Sequence, residues 1–280
     1  GTRACRRERR SAMLRTISSI LMAAMLAHGP AALAQPFDLP VDVELVLAVD
    51  VSGSMDQQEH RVQRQGYALA LAHPEFVRAV RSGGFQRIAL TYVEWAGPGR
   101  HAVILPWTAV ADEEDAERVA GHLAATPISF MRGTSISSAL DFAAPLFDDN
   151  GFEGTRRVLD ISGDGPNNMG PPVVPSRDRV IEAGITINGL PIMIRPSMRG
   201  GPTAPGLDDY YRDCVIGGPG AFVLPVHELH EMAEAIRRKL VLDIAGLPER
   251  TPGRVLAAQA TPAVDCLIGE RQRRRYWSEP

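Results

Sequence analysis

An uninterrupted apolar stretch in the amino-terminal half ends abruptly at a carboxylate. Val43-Glu44-Leu45-Val46-Leu47-Ala48-Val49-Asp50-Val51-Ser52-Gly53-Ser54-Met55 runs through β-formers, reaches Asp50 and then offers two hydroxyls at alternate positions. Residues 45–49 have no polar break, which predicts a strand covered on both faces, the habit of a central parallel strand. The period then changes. Asp56-Gln57-Gln58-Glu59 has capping-box spacing, so a helix is expected from there through Ala72. His73-Pro74 interrupts it, and Pro74 suits the first turn of a second helix reaching Arg81. Arg87 to Trp95 and His101 to Trp107 read as strands joined at the turn Ala96-Gly97-Pro98-Gly99.

A helix from Asp112 to Ala125 follows, then one with Ile136, Leu140, Ala143 and Phe147 on one face, shortened by Pro145. Arg157 to Gly163 predicts a strand ending in the turn Asp164-Gly165. Arg177 to Ala183 reads as a short helix, Ile185 to Ile194 as a strand and Ala221 to Val226 as the last strand. His227 to Ala245 closes the pattern as a helix with Leu229, Met232, Ile236, Leu240 and Ile244 as its buried stripe. Strands and helices alternating in this way predict an α/β fold, a doubly wound and mostly parallel sheet with helices on both faces.

Three segments stand outside the pattern. Met13-Leu14-Arg15, the apolar stretch Ile17 to Ala27 and Ala32-Leu33-Ala34 have the order of a secretory signal peptide with cleavage after Ala34, and residues 1–12 read as an upstream extension. Arg195 to Gly220 is Gly/Pro-rich and longer than most connections, an insertion of about 195–220 within a domain of 38–247. Residues 248–280 are Pro-rich, then basic at Arg271, Arg273, Arg274 and Arg275, and read as a weakly ordered, solvated tail with Cys266 as a candidate pin. The expected mature chain has about 245 residues, enough for one domain.

Export changes the charge and the redox setting. Loss of residues 1–34 removes six of 30 basic and one of 33 acidic residues, leaving 24 against 32, a net of −8. That disfavours a nucleic-acid partner. Of three cysteines, Cys214 and Cys266 remain, and in an oxidising compartment such as the periplasm a pair is expected, two independent thiols being the alternative.

The chemistry-bearing residues converge. Asp50, Ser52 and Ser54 follow the first strand, Thr134 sits in the loop before a helix and Asp164 ends a later strand, so all three loops belong at the carboxyl edge of a parallel sheet, where ligands bind. Two carboxylates and three neutral hydroxyls suit a small hard cation that keeps some water. Each part has a plainer reading: Ser and Thr as helix caps, Asp164 as a turn residue. Asn167 and Asn168 fit ordinary turn composition as well as a role in orienting the Asp164 turn. Glu94 and Trp95 read as packing at the core edge. His227-Glu228-Leu229-His230-Glu231 places its histidines three apart, the wrong spacing for a zinc-protease helix.

Taken jointly, Asp50-Val51-Ser52-Gly53-Ser54, Gly133-Thr134 and Ser162-Gly163-Asp164-Gly165 resemble the von Willebrand factor type A domain with its metal-ion-dependent adhesion site. The signal peptide, Tyr210-Tyr211-Arg212-Asp213-Cys214 and Val215-Ile216-Gly217-Gly218-Pro219-Gly220 resemble an exported bacterial family of unknown function carrying that domain. The resemblance covers residues 41–246. It implies a six-stranded sheet with one antiparallel edge strand. It also implies direct metal binding by Ser52 and Ser54, by Thr134 in the ligand-competent state, and by Asp50 and Asp164 directly or through water.

The functional expectation is a metal-dependent protein-binding module without bond chemistry, Mg2+ (or Mn2+ or Ca2+) bridging the site to a Glu or Asp of a partner protein. A small-ligand receptor with the insertion as lid is the second reading. A Mg-dependent phosphoryl transferase using Asp50 is the third, weakened because the acid/base position two residues on is Ser52.

Overall fold

The computed structural model describes residues 38–194, 206–246 and 264–278. The expected signal peptide, the first part of the 195–220 insertion and the first part of the tail lie outside the described residues. Among the described residues no helix is long and apolar enough to cross a membrane.

Five strands form one sheet in the order β3-β2-β1-β4-β5. They are β1 (Leu39–Asp50), β2 (Ile88–Trp95), β3 (His101–Val110), β4 (Phe152–Gly163) and β5 (Ile185–Pro191). β1 pairs in parallel with β2 and β4, β4 pairs in parallel with β5, and β3 is the antiparallel edge. β1 is therefore the centre of the sheet. Its side chains alternate between two cores: Val43, Leu45, Leu47 and Val49 face one, Val46 and Ala48 the other. A run apolar at every position is what two covered faces require.

The first core is closed by α1 (Gln57–Leu71), α2 (Pro74–Arg81), α3 (Glu113–Ala125) and α6 (Met232–Ala245), through Tyr67, Phe76, Val119 and Ile236 among others. The second is closed by α4 (Ile136–Ala143) and α5 (Val173–Glu182), through Leu140 and Val180. α1 starts at the expected capping box: Asp56 accepts from the backbone of Gln58 and Glu59 while the Glu59 side chain accepts from the Asp56 backbone. His73 caps α2, with Pro74 in its first turn.

The sixth strand is a correction. Ala221 to Val226 runs beside β5 and donates from Leu224 N to Gly189 O and from Val226 N to Pro191 O, while Gly189 N and Met193 N donate back. Between them sits Pro191, which has no N–H, so the middle rung of a parallel ladder is absent and only isolated bridges at Gly189–Val223 and Ile192–Val226 remain. Boundaries shifted elsewhere too. β4 begins at Phe152, because Leu39 to Val43 extends β1 and pairs with it. α5 begins at Val173, right after Pro172, whose fixed φ suits a helix start. Leu229 falls in a separate 3-10 turn, Leu229–Glu231, and is only half-buried, so the buried stripe of α6 starts at Met232.

The tail is also corrected. Cys214, in the π-turn Tyr211–Val215, is disulfide-bonded to Cys266, and the chain then forms α7 (Ile268–Ser278). α7 follows directly on that covalent anchor, with Ile268 packed against the second core.

Candidate metal centre and its cleft

Chain order alone selects the location. From β1 the chain proceeds to β2 on one side, and after β3 it crosses back to β4 on the other, so the sheet changes winding direction between β1 and β4. That is where ligands bind in open α/β sheets. Val49 is in register with Ser162, so Asp50 leaves β1 level with the end of β4.

Asp50 is fully buried. One carboxylate oxygen accepts from Ser52 N at 2.7 Å, and Gln63 Nε2 donates to the Asp50 backbone carbonyl at 3.0 Å. Oδ2, equally buried, has no hydrogen-bond partner. Ser52 Oγ and Ser54 Oγ are 2.7 Å apart, and Ser54 Oγ donates to Asp164 Oδ1 at 2.7 Å. Gly163 is what permits this closeness: a Cβ there would lie 3.0 Å from Asp50 Oδ2 and 2.8 Å from the Tyr211 hydroxyl.

Thr134 reaches the cleft on a separately braced loop. Met131 N donates to Val51 O at 3.2 Å and Ser135 N to Ala96 O at 2.9 Å, wedging residues 131–135 between the β1 loop and the β2–β3 turn. Gly133 takes φ +85°, and a side chain there would strike Met169. Thr134 N donates to Asn168 Oδ1 at 3.3 Å, and Asn168 N donates to Thr134 O at 3.1 Å. Asn167 accepts from the backbone and hydroxyl of Ser137 at 3.1 and 3.2 Å. The two asparagines thus join the Thr134 loop to the Asp164 turn.

Glu94 is buried at the end of β2, in an ion pair with buried Arg64. It accepts from Ser129 N at 3.0 Å while Arg64 donates to Leu123 O and Thr126 O at 3.0 and 3.1 Å. The pair fixes the segment leading to Thr134. Ser52, Gly53, Ser54, Phe130, Arg132, Gly133, Thr134 and Asn168 line an open cleft of about 450 Å3. Phe130, Arg132 and the Arg64 clamp carry no pattern in the sequence that marks them.

The electrostatics favour a cation. Burial holds the Asp50 carboxyl well above the usual carboxylate range, and the charge of Asp164 raises it further. Two acids that oppose each other's ionisation, one with an orphaned buried oxygen, present the donor set a cation completes. The spacing fits as well: with Mg–O bonds of about 2.0–2.1 Å, neighbouring oxygens of an octahedron lie about 2.9 Å apart. The observed oxygen separations of 2.7 Å are close to that. No group of three or more His, Cys, Asp or Glu side chains among the described residues is arranged to hold a metal ion.

The mostly parallel sheet with its antiparallel edge strand and flanking helices has the von Willebrand factor type A fold. Residues 40–248 match the family described as Protein of unknown function (DUF1194), and the chain belongs to that family. Among solved structures, proximal thread matrix protein 1 from the mussel byssus, with a zinc-occupied MIDAS motif, is similar over 76% of this chain and 49% of its own, at 16% identity and TM-score 0.52. The pilus adhesin SpaC from Lactobacillus rhamnosus GG is similar over 75% of this chain and 31% of its own, at 13% identity and TM-score 0.51. The chain thus spans half or less of either relative's length, and at such identities the likeness is one of fold. No curated protein matches.

Proposed function

We propose that this protein is a metal-dependent protein-binding module of the bacterial envelope, without catalytic activity, recognising a Glu or Asp side chain of a partner protein. The observation that carries the reading is the row Ser52–Ser54–Asp164, each step 2.7 Å, with Ser52, Ser54 and Thr134 lining one cleft. When bound, a divalent cation, Mg2+ in the exported compartment, supplies a position for an outside carboxylate. The chain's own residues do the rest. Ser52, Ser54, Thr134, Asp50 and Asp164 would hold the ion. Asn167, Asn168 and the Arg64–Glu94 pair keep the three loops at fixed separation, and Phe130, 60% exposed, offers an apolar rim for the partner segment.

The lack of a carboxylate two residues after Asp50 supports a binding role over phosphoryl transfer. Position 52 is a serine whose hydroxyl is directed to Ser54. The cleft volume also falls within the range of small-ligand sites, which favours a small-carboxylate receptor as the second reading.

The test is affinity capture from periplasmic extract on the immobilised protein in Mg2+. Partner proteins are expected to elute with EDTA and to be missing from an Asp164→Ala column. Capture that persists in EDTA contradicts the proposal. A melting-temperature shift with glutarate and Mg2+, without any captured protein, transfers support to the receptor reading.

A further inference from the structure

The basic carboxyl-terminal helix has no part in the account so far, yet it sits beside the cleft. The Cys214–Cys266 disulfide ties its start to the Tyr211–Val215 turn, whose Tyr211 is fully buried in the second core. Gly269 then packs so tightly on the 166–168 turn that a Cβ would lie 2.2 Å from Asn167 O. Asn167 Nδ2 donates to Glu270 Oε1 at 2.7 Å, and Arg273 Nη1 donates to Asn168 O at 3.4 Å. The same Asn168 lines the cleft and braces Thr134. Arg132 lines that cleft from the other loop. Both arginines are exposed, and neither forms an ion pair among the described residues, whereas Arg271 is paired with Asp265 at 3.0 Å.

We propose that Arg132 and α7, through Arg273, form a second recognition element beside the cation cleft, so that the partner is a run of acidic residues on a protein and not a single carboxylate. This rests on the binding reading given above. The charges around the cleft argue for it. Asp50 and Asp164 cancel a divalent cation, so without further groups the loaded site is neutral and attracts an acid only by coordination. Arg132 and Arg273 add two positive charges there, in a chain whose residues 35–280 carry 24 basic against 32 acidic side chains. Glu270, the acid of α7, is turned inward onto Asn167. With a screening length of about 10 Å at 0.1 M salt, the local positive charge outweighs the distant negative surface. One glutamate in the cleft leaves the arginines unmatched. Acidic neighbours in the same segment meet them.

The test uses the full mature chain and two fluorescent heptapeptides, seven glutamates and one glutamate flanked by three glutamines on each side, with Mn2+ as the cation. The acidic peptide gains some affinity merely from presenting seven equivalent carboxylates, and that gain survives mutation. The arginine contribution does not. Two or three exposed ion pairs amount to roughly 3- to 30-fold. The wild-type preference for heptaglutamate is therefore expected to fall about tenfold in Arg132→Gln/Arg273→Gln, and to shrink toward the variant's value in 0.5 M NaCl. Mn2+ affinity, read by the ion's own magnetic resonance signal, is retained or slightly increased, since the removed charges repel the ion.

An equal preference in variant and wild type overturns the second element while leaving the cation site standing. Failure of both peptides to bind in Mn2+ removes both readings. Heptaglutamate binding that is undiminished by EDTA shows the arginines acting alone and overturns the joint site. A ten-nucleotide oligothymidylate that displaces heptaglutamate at lower concentration than the peptide itself shows a general polyanion surface and overturns the choice of an acidic protein.

Discussion

Replacing Lys239 with Met lowers the stability of the fold by about 3–5 kcal/mol at pH 8 and by less at pH 5. Lys239 is 1% exposed on α6, with its ammonium 2.8 Å from Asp160 on β4 and 2.9 and 3.1 Å from the two oxygens of Asp243. It also lies 4.7 Å from the Phe222 ring centroid. Asn188 of β5 completes the cluster, donating to Asp243 at 2.7 Å and accepting from Phe222 N at 3.1 Å. This cluster therefore joins α6, two strands and the interrupted sixth ladder. Met fills similar space but leaves two carboxylates buried without a counter-charge, and an unpaired buried charge is far costlier than an absent pair.

The pH dependence follows from Asp160. Burial pushes its carboxyl up to about 7, against the opposing pull of Lys239. A folded-state value above the unfolded one means that the folded chain binds the proton more tightly. Its stabilising contribution is complete below the ordinary carboxylate range near 4 and is lost as pH rises through about 7. Without Lys239 nothing offsets the burial that raises the Asp160 carboxyl, so the variant suffers more at pH 8. Urea unfolding at the two pH values measures this, and adding Asp160→Asn and Asp243→Asn to the Lys239→Met chain should recover part of the loss. Equal losses at both pH values would show that packing, not charge, is what Lys239 contributes.

Asp50→Asn abolishes cation binding at physiological concentrations while leaving the fold intact. The substitution keeps the shape and the contact with Ser52 N but removes one of only two anionic groups in the donor set. At an effective dielectric of about 20, a single charge and a divalent ion 4 Å apart interact by about 8 kcal/mol. Even if half is offset by dehydration, affinity falls about a thousandfold, or about 4 kcal/mol. The same change relieves the repulsion between Asp50 and Asp164 in the cation-free protein, so its melting temperature without metal should equal or exceed that of wild type. Calorimetric titration with Mg2+, paired with thermal melts in EDTA, reads both effects. Affinity within tenfold of wild type would remove Asp50 from the donor set.

Local chemistry made the central architecture legible. An apolar run whose alternate residues face two cores, a capping box that forms as spaced and a proline at a helix start are all settled within a few residues of sequence. The β1 loop was legible for the same reason, since a strand end fixes where Asp50, Ser52 and Ser54 emerge. What escaped depends on contacts between distant segments. Pro191 interrupts the sixth ladder only because it faces Leu224, 33 residues on. The Arg64–Glu94 pair closes across a helix and a strand, and neither residue lies in a pattern that announces it. α7 reads as a solvated basic tail because its placement depends on one disulfide, one close glycine contact and two hydrogen bonds to an asparagine turn about 100 residues earlier.

We infer that oxygens from the loops after β1, before α4 and after β4 share one divalent cation. Titrating Mn2+ into the full mature chain, with the free ion followed by electron paramagnetic resonance, tests it most directly. One ion per chain should bind, be displaced by Mg2+ and be lost when Ser52 and Ser54 are both changed to Ala. Binding of the same strength in that double variant, or no binding in wild type, would contradict the claim.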